Sequence, residues 1–198
     1  MASWLVLRSD ANAIFDQEIE IDASAITPMV SWGTNPGQTI GIDGVVPHDA
    51  EAAPLEYIGL ARGQAIKGVP IDAAFIGSCT NSRLSDLRRA SAMFKGRKIA
   101  DGIKAICVPG SSGVKREAEA EGIDLIFKDA GFEWRESGCS MCFYAGGESF
   151  AAGSRVISTT NRNFESRQGP NVRTHIASPE TVVASAIAGV IADPEELI

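Results

Sequence analysis

Apolar and polar residues alternate in two different ways along the chain, and the change comes near residue 70. Before it, short apolar runs at 4–7 and 18–22 predict two short strands; the second run alternates acidic with apolar residues, as a half-buried strand does. Strands this short have no means of burying themselves alone. We therefore expect residues 1–69 to be a strand-containing segment and connector that completes a neighbouring domain.

From residue 70 onward, apolar strands alternate with amphipathic helices. The pattern predicts strands over 71–76, 105–108 and 155–158, and helices over 84–94, 114–121 and 179–191. Strands and helices that alternate with short links are typical of a parallel or mixed sheet with helices on both faces. We therefore expect residues 70–198 to form a three-layer α/β domain, with any ligand bound at the carboxyl ends of its strands.

Composition narrows the classes of function. The 198 residues are 44% hydrophobic and 22% charged, as in soluble globular proteins. Lys and Arg number 18 against 25 Asp and Glu, and the net charge of −7 argues against a nucleic-acid or anionic-membrane binder. Four cysteines are too few for a disulfide scaffold, and the first residues carry no signal peptide. We therefore expect a cytoplasmic protein without membrane contact.

Three cysteines carry the candidate chemistry. Cys79 follows a predicted strand, and Cys139 and Cys142 form a C-x-x-C pair in a short loop. Together they predict a three-thiolate site, which leaves one metal position open for a ligand. Two alternatives stay open: a buried Cys79 with a separate redox or zinc half-site, and a zinc site completed by His175. Cys107 lies inside an apolar strand, where a core position is expected.

The polar loop after the strand at 155–158 is a second candidate site. It contains Arg162 and Arg167, whose planar guanidinium groups suit the carboxylates of a di- or tricarboxylate. The alternative is an ordinary solvated loop. The Gly-rich stretch 109–113 precedes a helix and could hold an anion, but it lacks the spacing of nucleotide-binding loops. No Asp-His or Ser-His pair accompanies these motifs, so a general acid or base must be His175 or lie elsewhere.

Longer stretches around these residues resemble the aconitase superfamily. They are Phe75–Arg83, Phe132–Cys142 and Asn161–Phe164, together with Trp32–Gln38, residues 109–115 and Arg173–His175. The resemblance covers essentially the whole chain. It implies a domain of the aconitase iron–sulfur type and a hydro-lyase that isomerises a hydroxy di- or tricarboxylate by dehydration and rehydration.

The resemblance also implies a [4Fe-4S] cluster whose fourth iron is open to substrate. Three residues would hold it: Cys79, Cys139 and Cys142. By the same resemblance, Arg162 and Arg167 would bind a substrate carboxylate, and Asn161 would lie beside the cluster. No residue of this chain is assigned as the catalytic acid or base.

The implied substrate is 3-isopropylmalate, which would be exchanged with 2-isopropylmalate in leucine biosynthesis. Homoaconitate, dimethylmalate and citrate are the alternative substrates, and a catalytically incomplete cluster-binding or regulatory module is the alternative role. The chain resembles only the C-terminal part of a longer subunit. The partners expected for turnover are therefore the N-terminal region and a small subunit or swivelling domain. Two departures from the family's pattern bear on the substrate. One is residues 143–147; the other is Ser166, where glycine is usual, together with residues 178–181, which resemble relatives that act on other hydroxy acids.

Overall fold

The computed structural model describes residue 4 and residues 6–77, 81–145 and 147–197. Its strands are β1 (Met29–Ser31), β2 (Thr39–Gly41), β3 (Ala73–Ile76), β4 (Lys104–Cys107), β5 (Glu133–Trp134), β6 (Arg155–Ser158) and β7 (Arg173–Ile176). Its helices are α1 (Ala52–Ile58), α2 (Leu84–Phe94), α3 (Ser112–Ala120), α4 (Ile123–Ala130) and α5 (Pro179–Ala188). In the described residues, β1 and β2 form an antiparallel hairpin, and the other strands form a parallel sheet in the order β5-β4-β3-β6-β7.

Strand β3 lies at the centre of the sheet, and all four of its residues are buried. Ala74 and Ile76 point to one face, where they join an apolar cluster with buried residues of the helices. Ala73 and Phe75 point to the other face and belong to a second cluster. Burial on both faces explains why this strand is a continuous apolar run rather than an alternating one. The predicted α/β class with a parallel sheet is confirmed.

Loops cover the second face of the sheet. Met141, Phe150 and Val172 pack there against Phe75 and Val156. Met141 lies between the two cysteines of the C-x-x-C pair, so this short loop is fixed to the centre of the sheet by its own apolar residue. The sequence pattern predicts helices on both faces, but in the described residues the clustered apolar residues of helices α1–α5 belong to the first cluster and not to the second. Loops cover this face instead, and stretches without a regular period give no sign of what they cover.

The predicted helix at 84–94 and the predicted strand at 155–158 agree with α2 and β6. The predicted strand at 18–22 is wrong: the segment is exposed, because the described residues offer no strand beside it. The strand predicted at 4–7 is also wrong at its described positions, since the Leu7 amide donates to the Trp4 carbonyl in a turn. No helix in the described part of the chain is long and apolar enough to cross a membrane.

Residues between 30 and 69 share the first cluster with the sheet. Val30, Trp32 and Ile66 are buried in it, and Val30 forms a bridge with Ala177 next to β7. Residues 14–26 contain apolar side chains that stay exposed instead. The division of the chain into residues 1–69 and 70–198 stays a prediction.

Candidate functional site

The centre of the sheet is a topological switch point. The chain runs from β3 outward to β4 and β5, then crosses to β6 and β7 on the other side of β3. In open sheets of this kind, ligands bind outside the carboxyl ends of the strands at such a point, here the ends of β3 and β6. The loops with Cys79 and with Arg162 follow these two strands.

Thr159 joins the loops that follow β3 and β6. Its Oγ1 accepts a hydrogen bond from the Gly77 amide at 2.9 Å and donates to the Gly77 carbonyl at 2.8 Å. Its own carbonyl accepts from Nδ2 of Asn81 at 2.7 Å. Cys79 itself lies outside the described residues. Gly77 and Asn81, the nearest described residues before and after it, are both bonded to Thr159.

Gly77 is required at the end of β3 because of Phe75. A Cβ at position 77 would lie 2.3 Å from Cζ of the Phe75 ring, which is fully buried in the second cluster. A methyl group does not fit at that distance. Packing against Phe75 therefore explains why the Gly-Ser-Cys sequence at this strand end begins with glycine.

The C-x-x-C loop presents two free thiols. Cys139 is exposed and Cys142 is half-buried, and the Cys142 amide donates to the Cys139 carbonyl at 2.8 Å in the 3-10 helix Ser140–Cys142. Ser140, between them, has a φ of 40°, a region that costs a non-glycine residue about 1–3 kcal/mol. Nη1 of Arg135 donates to Oγ of Ser140 at 3.3 Å and helps to hold this conformation.

Gln168 ties the C-x-x-C loop to the arginine loop. Its Nε2 donates to the Met141 carbonyl at 2.8 Å, and its Oε1 accepts from Oγ1 of Thr174 at 3.0 Å. Gln168 is fully buried, and both ends of its amide are satisfied. The sequence alone suggests no role for Gln168. The only sign of it in the sequence is a polar residue in a loop, and nothing local shows that this residue is buried.

Arg167 contacts Cys142. Its Nη2 lies 3.5 Å from Sγ of Cys142, and its guanidinium carbon lies 5.1 Å from the ring centroids of both Phe143 and Phe164. Two ring faces at this distance hold a guanidinium group by cation–π attraction. Nε of Arg167 is buried without a hydrogen-bond partner among the described residues. The side chain therefore keeps one donor unused beside the sulfur.

Arg162 and Asn161 are exposed at the tip of the same loop. The structure records no contact of either side chain with Cys142 or Arg167, so a joint arginine clamp stays a prediction. Asn163, which sequence reasoning quoted without a role, is buried instead. Its Nδ2 donates to the Gly33 carbonyl at 2.7 Å and so fastens the loop beside the β1–β2 hairpin.

His175 is not available for catalysis or for a metal. It is fully buried, with Nδ1 2.7 Å from the Ser31 carbonyl and Nε2 2.8 Å from Nη1 of Arg155. Because a guanidinium only donates, Nε2 accepts and Nδ1–H donates. Burial, followed by the Arg155 charge, lowers the pKa of His175 to about 3. The suggestions of a His175 base and of a zinc site completed by His175 are both wrong.

Cys107 lies in the core as expected. It is fully buried in β4, and burial raises the pKa of its thiol. At the Gly-rich turn, Ser111 Oγ caps α3 by accepting from the Val114 amide at 3.1 Å. Lys115 pairs with Glu119 at 2.7 Å and with Glu136 at 3.0 Å, so its charge is already engaged.

The described residues contain no group of three His, Cys, Asp or Glu side chains that could hold a metal. With Cys79 outside them, the three-cysteine ligand set stays a prediction. A cavity of about 310 Å³ lies beside α2 and α4, lined among others by Phe94, Arg97 and Ile126. It contains none of the predicted site residues.

Comparison with known proteins matches the chain to one family. The sequence profile described as "Aconitase family (aconitate hydratase)" matches residues 1–189. A protein of Cupriavidus necator named 3-isopropylmalate dehydratase large subunit is 60% identical over 201 residues. The 3-isopropylmalate dehydratase large subunit 1 of Bradyrhizobium diazoefficiens is 52% identical over 203 residues, and the large subunit of that name from Roseiflexus castenholzii is 50% identical over 208.

The chain spans only part of these relatives. The three matches cover 96%, 98% and 100% of the chain, but 75%, 43% and 44% of the respective relative. The last two relatives therefore contain more polypeptide outside the matched region than inside it.

Proposed function

This chain belongs to the aconitase family, and on that premise we propose that it forms part of a hydro-lyase that isomerises a hydroxy di- or tricarboxylate by dehydration and rehydration. The names of the relatives favour 3-isopropylmalate and 2-isopropylmalate as the pair exchanged, a step of leucine biosynthesis. Homoaconitate, dimethylmalate and citrate are the rival substrates. Free thiols suit a reducing compartment, and we place the activity in the cytoplasm.

The proposed cofactor is a [4Fe-4S] cluster held by Cys79, Cys139 and Cys142. The donor chemistry fits: Cys139 and Cys142 are accessible free thiols in one short loop, and Cys79 lies between two residues bonded to Thr159 at the switch point. Thiolates are the ligands that iron–sulfur clusters use. When bound, the cluster would supply a Lewis-acidic iron with an open position for the substrate hydroxyl.

The observation that carries the proposal is the contact between Arg167 and Cys142. A guanidinium 3.5 Å from the sulfur can offset negative charge there and can attract the carboxylate of a substrate bound beside Cys142. Phe143 and Phe164 restrain the group, so little rotamer entropy remains to be lost when substrate binds. Arg162 is proposed as a second carboxylate ligand, and Asn161 as a neighbour of the cluster.

The general acid and base are proposed to come from outside this chain. His175 is neutral, buried and engaged on both ring nitrogens, and no other residue of the chain is assigned the role. The name "large subunit" of the relatives points to a small-subunit partner. Turnover would therefore need the part of the large subunit missing from this chain, together with that partner.

The test is an assay of the completed enzyme. In the Bradyrhizobium relative, the 203 matched residues are replaced by this chain, and the chimera is combined with the small subunit of the same organism. We expect 3-isopropylmalate to yield the unsaturated dicarboxylate, seen by its ultraviolet absorbance, faster than the three rival substrates yield theirs. A cluster-loaded chimera that acts on none of the four, beside an active unreplaced enzyme, would contradict the proposal.

A further inference from the structure

Residues 14–22 form an exposed segment in which apolar side chains are mixed with acidic ones. Phe15, Ile19 and Ile21 are 55%, 71% and 69% exposed, and the segment contains neither helix nor strand. Single exposed apolar residues are ordinary, but several of them within a few residues mark a contact surface.

The segment has the side-chain period of a strand. Phe15, Ile19 and Ile21 occupy odd positions, so an extended backbone would place them on one face, together with Gln17. Ile14, at the start of the segment, would lie on the opposite face. The rest of that opposite face would be acidic; it would present Asp16, Glu18, Glu20 and Asp22. A face with three apolar residues in four, opposite a mainly charged one, is typical of a strand at the surface of a sheet.

The backbone of the segment is also unpaired. No backbone hydrogen bond within the described part of the chain involves residues 14–21, although both flanks have one: the Ala13 amide donates to Asp10, and the Asp22 carbonyl accepts from Ala25. A strand needs a neighbour, and unpaired amide and carbonyl groups next to an apolar face are a template for strand addition.

We propose that residues 14–22 dock as an added strand on the part of the large subunit that this chain does not contain, with Phe15, Ile19 and Ile21 facing it. Two relatives match the chain over 98% and 100% of its length yet contain more than half of their own length outside the match. They therefore carry the polypeptide that could cover this segment. The proposal rests on family membership and uses nothing of the proposed reaction.

The charge pattern disfavours a second copy of the chain as the occupant. If two copies paired antiparallel about Ile19, Glu18 would face Glu20, and Asp16 would face Asp22 of the other copy. Like charges directly opposite each other destabilise a strand pair. The occupant should instead present a sheet edge with an apolar face and neutral or basic side chains along it.

The probe is the Bradyrhizobium large subunit without its 203 matched residues, produced in the same cells as the tagged chain. We expect the two to purify together, and we expect hydrogen exchange at residues 14–22 to be about a hundredfold slower in the complex than in the chain alone. The Ile19→Thr/Ile21→Thr variant should bind about a hundredfold more weakly, because two apolar contacts are lost while strand propensity is kept. The matched control is Glu18→Thr/Glu20→Thr, which places two threonines on the opposite face of the segment. Its binding affinity should fall by about tenfold or less.

The proposal would be overturned by no co-purification of the unaltered pair, by unchanged hydrogen exchange at residues 14–22 in the complex, or by equal loss of binding in both variants. Exchange that slows when the chain alone is concentrated would assign the segment to a second copy and overturn it as well. None of these results depends on a cluster or on catalysis, so failure here is distinct from failure of the proposed reaction.

Discussion

Nη2 of Arg167 lies 3.5 Å from Sγ of Cys142, which joins two motifs that the sequence presents separately. The arginine loop follows β6, and the C-x-x-C loop follows β5 at the far edge of the sheet. They meet because Met141 anchors the cysteine loop on the central strands and Gln168 bonds to the Met141 carbonyl. A cation is thereby placed beside a candidate cluster ligand.

Arg167→Lys should weaken substrate binding without loss of the cluster. Lysine keeps the charge but loses the planar fork and the stacking between Phe143 and Phe164. In the completed enzyme we expect KM to rise about tenfold, the equivalent of about 1.4 kcal/mol, at unchanged iron content. Arg88→Lys is the matched control, since Arg88 pairs with Glu121 on the surface of α2. Equal KM values in the two variants would show that Arg167 does not bind the substrate.

Gly77→Ala should destabilise the fold. The new methyl group would meet the buried Phe75 ring, and the displacement should lower the free energy of unfolding by about 1–3 kcal/mol. Gly138→Ala is the control, because a Cβ at that position meets nothing within 4 Å. Urea denaturation of the metal-free chain measures both. Equal midpoints would show that the end of β3 is looser than the packing indicates.

Acid should destabilise the chain through His175. Above pH about 6.5, its ring is neutral in both the folded and the unfolded chain, and it adds no pH dependence. Below that pH, the unfolded chain binds a proton that the folded chain refuses until pH about 3. The free energy of unfolding should therefore fall by up to about 1.4 kcal/mol per pH unit between these values.

The measurement for His175 is the slope of unfolding free energy against pH, compared between the wild type and His175→Asn. The variant lacks the titrating ring, so its slope between pH about 6 and 4 should be smaller by up to about 1.4 kcal/mol per unit. Identical slopes would mean that His175 is protonated in the folded chain, contrary to its contact with Arg155.

Ser166 should be replaced more easily by glycine than by alanine. Its φ of 61° is in the left-handed region, and its Oγ accepts from the Asn171 amide at 3.1 Å. Both replacements lose that hydrogen bond, but only glycine also relieves the backbone. We expect Ser166→Gly to be more stable than Ser166→Ala by about 1 kcal/mol in thermal or urea unfolding. The reverse order would contradict the left-handed conformation.

The parts of the fold that could be predicted are those with a strong local pattern. Helix α2 and strand β6 have clear periods or apolar runs, and the alternation of strands and helices predicts the parallel sheet. Strand β7 was missed because its sequence, Arg173-Thr174-His175-Ile176, is polar although its middle is buried. Its polar side chains are satisfied by tertiary partners such as Ser31 and Gln168, which no local pattern reveals.

The candidate site was predictable as a list of residue types and not as an arrangement. Cysteine spacing and arginine chemistry identify Cys142 and Arg167, but their contact depends on loops that cross the second face of the sheet. His175 shows the opposite limit. It is one of only two histidines in the chain and lies near the arginine loop, so the sequence makes it a candidate for catalysis. Its burial between Arg155 and Ser31 shows that it is not available for that role.

The most direct measurement is iron and acid-labile sulfide per chain after anaerobic reconstitution. The unaltered chain should bind about four of each, as a [4Fe-4S] cluster requires. Cys79→Ser, Cys139→Ser and Cys142→Ser should each lose the cluster, whereas Cys107→Ser, altered in the core, should retain it. Zinc alone, no metal, or loss of iron only in Cys107→Ser would contradict the three-cysteine site on which the proposed hydro-lyase depends.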